Sequence, residues 1–485
     1  MNKTKWVIFV GYIDYSREPK SDIAFIDMKS FYASVECVDR GLNPLTTSLC
    51  VMSNADNASG LILASSPMFK KIFHKTNVGR AYDLPFNIRT RKFSYYKAKK
   101  QGLPMTPEYI QYIEYWAKRT LIVPPRMERY IEKNLQILDI FQQYASREDI
   151  LPYSIDEGFI DLTASLNYFV EEPTLSRKEK LDLVSARIQR DIWRQTGIYS
   201  TVGMSNSNPL LAKLALDNEA KHTKTMRANW SYEDVENKVW AIPNLTDFWG
   251  IGSRMAKRLN RIGITNIQEL ANANPDILKT KFGVIGVQLW FHANGVDESN
   301  VHYPYIPNLA NRSIGNSQIL PRDYYEQAEV ELVLSEMAEQ VAIRLRKNHK
   351  QATKVSIHVS YNKLTDLPSL NTQMKIEATN STKELTAAVL LLFRKKYVGG
   401  AVRQIGVSYG GLIEDDFALL SLFNDPIKEA KEKNLESAID HLREKFGFLA
   451  IQKGSVLLKG SRNIARSKLI GGHAAGGAGG LDGLK

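Results

Sequence analysis

The chain of 485 residues is too long for one ordinary hydrophobic core and long enough for three or four domains. Its 64 Lys and Arg against 52 Asp and Glu give a net charge of +12, which favours a polyanionic partner, either nucleic acid or an anionic membrane. Two cysteines, Cys37 and Cys50, are too few for a disulfide scaffold or a cysteine-rich zinc site, and the apolar stretch at 6–13 is too short to span a membrane. We therefore expect a cytoplasmic protein without a membrane partner.

The N-terminal part predicts short strands mixed irregularly with helices, which is typical of an α+β fold. The run I-A-F-I-D at 23–27 predicts a strand that ends in an acid, and Ser30 is expected to cap the following helix. Further strands are predicted at 48–53 and 61–64.

Residues 87–119 combine eight basic residues and two acids with seven interleaved aromatic residues. Such a composition can follow a phosphate backbone and stack on bases. It is equally typical of an amphipathic helical segment whose aromatic residues pack inward and whose lysines are solvated. The sequence leaves both interpretations open. The aromatic residues are Phe93, Tyr95, Tyr96, Tyr109, Tyr112, Tyr115 and Trp116.

The remaining elements also alternate. Helices are predicted over 127–143 and 176–195, and the strand Y-S-T-V-G-M-S is followed by a helix whose first turn holds Pro209 after Asn208. Residues 313–411 predict a separate α+β unit, with strands at 354–360 and 402–409 and with helices at 324–347 and 382–396 that end in basic clusters. The Gly-rich tail at 471–485 is predicted to be disordered.

Two acids, Asp156 and Glu157, lie side by side in the strand-like run Y-S-I-D-E-G-F-I-D-L. At a hairpin turn both could converge with Asp27, and three carboxylates at strand ends suit hard divalent ions such as Mg²⁺. Two such ions clamp the attacking and leaving oxygens of a phosphoryl transfer. The alternative is that Asp156 and Glu157 are exposed turn residues and that Asp27 caps a helix.

Two sequence segments resemble, in their order, the two catalytic motifs of Y-family translesion DNA polymerases. They are F-I-D-M-K-S-F-Y-A-S-V-E and Y-S-I-D-E-G-F-I-D-L. The later T-V-G-M-S, L-L-A-K-L-A-L-D-N-E-A-K and W-G-I-G-S-R-M-A-K-R-L-N-R-I-G-I fit the same family. The resemblance covers about 20–425 and is nearest to the bacterial UmuC-like, SOS-type branch of Gram-positive chromosomes, plasmids and prophages.

The resemblance implies an α+β right-hand polymerase with palm, fingers and thumb, followed by an α+β little finger. The implied domains are an N-terminal segment with the first palm strand at 1–31, fingers at 32–90, a basic aromatic insertion at 91–120, palm at 121–229, thumb with a helix-hairpin-helix at 230–300, little finger at 312–412, a C-terminal region at 413–470 and the disordered tail at 471–485.

The implied active site holds two Mg²⁺ ions, with Mn²⁺ as an alternative. Asp27, Asp156 and Glu157 are the matching catalytic carboxylates, and the Met28 carbonyl is a further ligand. Tyr32 matches the steric gate that excludes ribonucleotides, with Phe31 beside it.

The triphosphate contacts are implied less completely. Lys221 matches the family's triphosphate lysine, and Lys70 stands where the fingers usually supply an arginine. Pro67 replaces a tyrosine that is common three residues earlier, so Ser65 and Ser66 are candidates to supply hydroxyls instead.

Contacts with larger partners are implied as well. Gly250 and Gly252 in the G-I-G turn resemble a helix-hairpin-helix that binds DNA phosphate, with an ordinary helix–helix turn as the alternative. Arg344, Arg346, Lys347 and Lys350 at the end of one helix are candidate phosphate contacts or a solvated helix end. Leu420, Leu422 and Phe423 match a sliding-clamp peptide, although Leu419 replaces its usual glutamine and a packed segment is the alternative.

The implied function is error-prone, template-directed DNA synthesis past damaged bases, with primer–template DNA and deoxynucleoside triphosphates as substrates and the sliding clamp as a partner. A recombinase filament or accessory subunits are left open. The rival functions are a nucleotide cyclase with the same carboxylate chemistry, and a non-catalytic DNA-binding or clamp-binding regulator.

Overall fold

The computed structural model describes residues 13–53, 60–74, 79–301, 313–415 and 426–474. The chain forms two compact units, Met1–Tyr305 with Ala474–Lys485 and Ile306–His473. Within the described ranges, no helix has the length and apolar character needed to cross a membrane.

The strands, in chain order, are β1 Ile23–Met28, β2 Leu49–Ser53, β3 Leu61–Ser65, β4 Gly79–Arg80, β5 Leu121–Val123, β6 Ile150–Pro152, β7 Glu157–Asp161, β8 Ser200–Ser205, β9 Arg227–Asn229, β10 Ile314–Tyr324, β11 Lys350–Tyr361, β12 Leu370–Thr379, β13 Val402–Glu414, β14 Leu469–Ile470 and β15 His473–Ala474.

The α-helices are α1 Phe31–Val38, α2 Pro67–Phe73, α3 Tyr95–Lys100, α4 Pro107–Arg119, α5 Met127–Phe141, α6 Leu166–Phe169, α7 Arg177–Thr196, α8 Pro209–Asn218, α9 Ser253–Asn260, α10 Ile267–Ala271, α11 Pro275–Phe282, α12 Val284–Ala293, α13 Gln327–Lys347, α14 Thr382–Lys396, α15 Pro426–Phe446 and α16 Asn463–Ser467.

A five-stranded sheet in the order β6-β7-β1-β8-β9 forms the middle of the first unit. Its central strand β1 is antiparallel to both β7 and β8. Every residue of β8 is buried, because both α7 and α8 pack against this strand. A Cβ atom on Gly203 would lie 2.0 Å from the Ala212 carbonyl oxygen, so only glycine allows this approach of helix and strand.

A second sheet of the first unit has the order β4-β3-β2-β5, with β5 parallel to β2. The sequence resemblance assigns β5 to the palm, but the strand pairs within this second sheet. Helices α2 and α4 cover the sheet, and their shared core includes Cys50, Phe69, Ile113 and Ala117. One side of the basic aromatic region therefore packs inward.

Helices α9 to α12 form a small bundle whose core continues into α8. Leu259, Leu270 and Leu289 are buried there together with Leu211 and Leu214. Two of these helices begin at an asparagine N-cap. The Asn266 side chain accepts a hydrogen bond from the Glu269 amide, and the Asn274 side chain accepts one from the Asp276 amide.

The second unit is an antiparallel sheet in the order β10-β13-β11-β12, with α13 and α14 on one face. Strands β11 and β13 extend beyond the predicted 354–360 and 402–409, while β10 and β12 were not predicted. The other face is lined by small and polar residues, including Ser317, Ser356 and Gln404, around a shallow cavity of about 850 Å³.

The predicted helices at 127–143 and 176–195 correspond to α5 and α7. A capping box of Ser176 and Glu179 begins α7, and Gly197 ends it with a φ of 70°. Ser30 stands at the N-cap of α1 as predicted, but it has a φ of 51° and its side chain makes no capping hydrogen bond. Within the tail that was predicted to be disordered, His473–Ala474 forms strand β15, and residues 475–485 lie outside the described residues.

Candidate active site

The two neighbouring strands β1 and β7 bring two predicted carboxylates to one end of the five-stranded sheet. Asp27 and Glu157 are direct partners in the register of this antiparallel pair, so their side chains lie on the same face. Asp156 occupies the turn just before β7, and its carbonyl accepts a 2.9 Å hydrogen bond from the Met28 amide. Asp27 is thus a strand residue rather than a helix cap, and Glu157 begins a strand.

Two lysines face these carboxylates. The Lys221 ammonium lies 3.4 Å from Asp27 Oδ2, and the Lys213 ammonium lies 3.6 Å from Glu157 Oε1. Asp217 lies between the lysines, 2.8 Å from Lys221 Nζ and 3.2 Å from Lys213 Nζ. The predicted residue Lys221 is therefore at the site.

Lys213 and Asp217 were not predicted as site residues. Their signal in the sequence is the spacing of four residues between Lys213, Asp217 and Lys221, which places all three along one side of a helix and its last turn. Lys213 is almost completely buried, and its ammonium also lies 4.5 Å from the centroid of the Phe25 ring.

The electrostatic state of the site reflects crowded carboxylates. Burial raises the pKa of Asp27 to about 6, and the charges of Glu157 and Asp156 add to this effect while Lys221 and Lys213 oppose it. Burial and Asp156 likewise raise the pKa of Glu157 against the two lysines. Burial by itself would lower the pKa of Lys221, but Asp27 and Asp217 outweigh it and raise that pKa.

The donor set fits a divalent cation. All three predicted side-chain ligands offer carboxylate oxygens, the class of ligand atom that Mg²⁺ prefers. Like charges directly opposite on paired strands destabilise a sheet, and a cation removes that cost. In the described part of the chain no group of three acidic, histidine or cysteine side chains is arranged to hold a metal ion, so the fit rests on the chemistry of the donor atoms. Asp156 instead accepts a 2.8 Å hydrogen bond from the Ser154 hydroxyl.

Tyr32 lies on the first turn of α1, beside this carboxylate group. Its ring stacks on Tyr130 with a centroid distance of 4.3 Å, and the Phe31 ring lies 5.8 Å away. Burial and the charge of Asp156 raise the pKa of Tyr32. Tyr130 was not predicted as part of the site.

The fingers candidates lie on and before α2. Burial, with Lys29 and Lys221 nearby, lowers the pKa of Lys70, while Asp27 opposes that shift. Ser66 caps α2 and donates to the Thr47 carbonyl at 2.7 Å, so its hydroxyl is engaged within the fold. Ser65 is buried, and its hydroxyl has no hydrogen-bond partner among the described residues.

Three family models match the chain. The impB/mucB/samB family model matches residues 92–217, the IMS family HHH motif matches 232–264, and the impB/mucB/samB family C-terminal domain matches 311–422. The first of these matches covers less than half of the first unit, and the last covers most of the second unit.

Curated relatives match along nearly the whole chain. UvrX of Bacillus subtilis, named for UV-damage repair, is 35% identical over 462 residues, which are 95% of this chain and 99% of UvrX. DNA polymerase IV 2 of the same organism is 32% identical over 93% of this chain and 98% of its own length. DNA polymerase IV 2 of Halalkalibacterium halodurans is 30% identical over 93% of this chain and 98% of its own length.

These matches show that the chain belongs to the Y-family of DNA polymerases. A solved Y-family DNA polymerase chimera has the same fold, with a TM-score of 0.57 and 20% identity over 81% of this chain and 99% of that structure. The resemblance inferred from the motifs is confirmed, as is the α+β fold, and the Bacillus relatives agree with a Gram-positive branch.

The predicted DNA contacts of this Y-family chain lie in two places. Gly250 has a φ of 94°, and Gly252 is the N-cap of α9 with open space around it. Arg344 at the end of α13 donates to the Gly315 carbonyl. The phosphate contacts of these residues stay predictions.

The other two basic candidates on α13 are paired with the C-terminal helix α15. Arg346 lies 2.6 Å from Asp440 and 3.3 Å from Glu436, and Lys347 lies 2.9 Å from Glu444. Arg346 also donates to the Asn380 carbonyl at 2.9 Å. Lys350 pairs with Glu414. These side chains must leave acidic partners before they can bind a phosphate.

The predicted clamp-binding residues cannot be placed in the same way. Leu420, Leu422 and Phe423 lie outside the described residues, directly before α15.

Proposed function

We propose that Asp27, Asp156 and Glu157 are the metal-binding carboxylates of this DNA-directed DNA polymerase. The observation that carries the proposal is the register of β1 and β7, which sets Asp27 opposite Glu157 with Asp156 in the adjoining turn. Y-family members synthesise DNA past damaged template bases, and this chain is such a translesion polymerase.

Two divalent ions, Mg²⁺ or Mn²⁺, would activate the primer 3′-hydroxyl and neutralise the triphosphate in the transfer of a deoxynucleoside monophosphate. Asp27, Asp156, Glu157 and the Met28 carbonyl would hold them. Lys213 and Lys221 balance the negative charge of the carboxylates. The distance of 3.4 Å from the Lys221 ammonium to Asp27 supports the proposal that Lys221 binds the triphosphate. Lys70 would complete the phosphate contacts together with Ser65, whose hydroxyl has no hydrogen-bond partner in the described ranges.

Tyr32 would present its ring to the sugar of the incoming nucleotide, with Phe31 packed behind it. A ring at that position collides with a ribose 2′-hydroxyl and so selects deoxynucleotides. The stack on Tyr130 supports this role, because it limits how far the Tyr32 ring can withdraw.

The five-stranded sheet would form the palm, the β2 sheet the fingers, and α9 to α12 the thumb. Amides at Gly250 and Gly252 would bind a DNA phosphate at the start of α9. The polar open face of the second unit would lie on DNA as the little finger, since small side chains permit close approach. The peptide with Leu420, Leu422 and Phe423 would dock on a sliding clamp, and the enzyme would act in the cytoplasm.

The test is primer extension by the full-length protein with Mg²⁺, on an undamaged template and on one with an abasic site. We expect Asp156→Asn to reduce extension by about 1000-fold or more with little change in DNA affinity, because the lost charge acts on the transition state. Glu171→Gln, an exposed carboxylate outside the site, is the matched control. Extension by Asp156→Asn at the wild-type rate would contradict the assignment.

A further inference from the structure

Helices α3 and α4 carry an outward row of tyrosines that the proposed polymerase site does not use. The exposed fractions are 61% for Tyr95, 79% for Tyr96, 45% for Tyr112 and 49% for Tyr115. In the described part of the chain none of the four hydroxyls donates a hydrogen bond to the protein. Aromatic rings exposed in this number usually mark a binding surface.

The four tyrosines are exposed although the two helices that carry them are packed against the rest of the fold. On the inner side of the two helices Ala98, Ile113 and Ala117 are fully buried in the core of the β2 sheet. Glu114 accepts a 3.0 Å hydrogen bond from the Phe93 amide, which ties α4 to the start of α3. The fold thus holds the tyrosines outward.

The exposed sides of α3 and α4 also carry cations. Lys99, Lys100 and Lys118 are exposed, and none has a carboxylate within ion-pair distance among the residues that the structure describes. The Arg119 guanidinium lies 3.6 Å from the centroid of the Tyr115 ring, which makes a flat cationic platform. Glu114 faces Phe93, so Glu108 in the first turn is the acid on the exposed side of α4.

We propose that this tyrosine–lysine face, formed by Tyr95, Tyr96, Lys99, Lys100, Tyr112, Tyr115, Lys118 and Arg119, binds single-stranded DNA. Tyrosine rings offer stacking surfaces for unpaired bases, and unpaired cations follow the phosphates. A duplex hides the faces of its bases, so the rings favour a single strand. Cations without acidic partners favour a polyanion over a protein surface of mixed charge.

The position of the face suggests which strand it holds. Helix α4 packs on α2, which carries Lys70 of the proposed nucleotide site. In a polymerase the unpaired strand next to that site is the template that has not yet been copied. The identity of the strand rests on the proposed function, whereas binding of a single strand does not.

The first experiment measures fluorescence anisotropy of a labelled oligo-dT of about 20 nucleotides with the full-length protein. The variant Tyr96→Ala/Tyr112→Ala/Tyr115→Ala places a good helix former at each position in α3 and α4. We expect its affinity for the single strand to fall about tenfold or more, because stacking contributes at several bases. Affinity for a blunt duplex should stay unchanged.

Tyr168→Ala is the matched control, since Tyr168 is 79% exposed like Tyr96 but lies on α6. It should leave both affinities unchanged. Unchanged single-strand affinity in the triple tyrosine variant would overturn the proposal and leave the face to a protein partner.

The second experiment tests the cations. Lys99→Ser/Lys100→Ser/Lys118→Ser should make the slope of log affinity against log salt shallower by about 0.7 for each phosphate that the variant no longer neutralises. An unchanged slope would overturn the phosphate contacts.

Primer extension separates this inference from the proposed function. The tyrosine variant should extend primers normally on templates with a short unpaired overhang and less efficiently on long overhangs at low protein concentration. A drop on both templates alike would point to damage of the catalytic site and count against a separate binding face. A wild-type chain that binds the single strand but never extends a primer would contradict only the proposed function.

Discussion

The ring of Tyr130 lies nearly parallel to the ring of Tyr32, with an angle of 13° between their planes. The Tyr130 hydroxyl donates a 2.8 Å hydrogen bond to Glu36, and Arg126 donates to the same carboxylate oxygen at 2.8 Å. Glu36 is fully buried. The proposed steric gate therefore stacks on a ring whose hydroxyl is held by the buried Glu36 carboxylate and its partner Arg126.

This support predicts a graded effect on sugar selection. Tyr32→Ala should lower the ratio of kcat/KM for deoxynucleotides over ribonucleotides about 10- to 100-fold. Tyr130→Ala should cause part of that loss, because the Tyr32 ring can then move away from the sugar. Steady-state incorporation opposite one template base measures the ratio.

Tyr130→Phe is the control for this prediction. It keeps the stacked ring and removes the hydroxyl from Glu36, so we expect a decrease of about 1–3 kcal/mol in stability with sugar selection preserved. A Tyr130→Ala enzyme that melts earlier but selects sugars normally would show that Tyr130 supports only the fold.

Lys213 should stabilise the protein most when no metal is bound. It is buried beside Glu157 and Asp217, so Lys213→Met leaves like charges crowded together. We expect a decrease of about 3 kcal/mol in unfolding free energy in EDTA, and a smaller decrease with Mg²⁺ or Mn²⁺. Thermal unfolding with and without metal measures the difference, with the exposed Lys224→Met as control. Equal decreases in both conditions would contradict a metal at these carboxylates.

Gly203 should tolerate no side chain. Besides the Ala212 carbonyl, a Cβ atom there would lie 2.5 Å from the Leu216 amide nitrogen, so Gly203→Ala must push α8 away from β8. We expect destabilisation on the order of 3 kcal/mol in urea unfolding. Gly454→Ala, which meets nothing within 4 Å, should be neutral or slightly stabilising. A stable Gly203→Ala protein would show that the helix can shift without cost.

A substitution of Arg346 tests whether the end of α13 has a structural role or a DNA-binding role. If its pairs with Asp440 and Glu436 dominate, Arg346→Met should cost about 3 kcal/mol and speed proteolysis in α15. DNA affinity would then change little. Lys395→Met, at the exposed end of α14, is the control. Unchanged stability with a weaker salt dependence of DNA binding would instead favour the phosphate contact.

Much of the candidate site could be predicted from local sequence. The motifs whose order and spacing carry the family resemblance contain these candidate site residues: Asp27, Tyr32, Asp156, Glu157 and Lys221. The strand that holds Asp27 near its end follows from an apolar run that stops at an acid. Helix α7 follows from its periodicity and its capping box, because these are interactions between neighbours in the chain.

Contacts between remote segments were not predictable in this way. Glu36 and Tyr130 are 94 residues apart, as Arg346 and Asp440 are. No spacing rule links such residues, since their distance depends on how whole elements pack. Strands β10 and β12 were missed for a related reason: they lie at the edges of their sheet, where many residues are exposed and the apolar signal is weak.

The sequence by itself determined the family and the α+β class and indicated the candidate carboxylates of the site, because motifs and hydrophobic periodicity are local properties. Only the tertiary structure decided which lysine faces which carboxylate, that Tyr130 supports Tyr32, and that Arg346 has acidic partners. It also decided that four tyrosines of α3 and α4 are exposed while Phe93 and Ile113 pack inward. Burial and ion pairing depend on what the rest of the chain brings against a side chain, and that is set by packing.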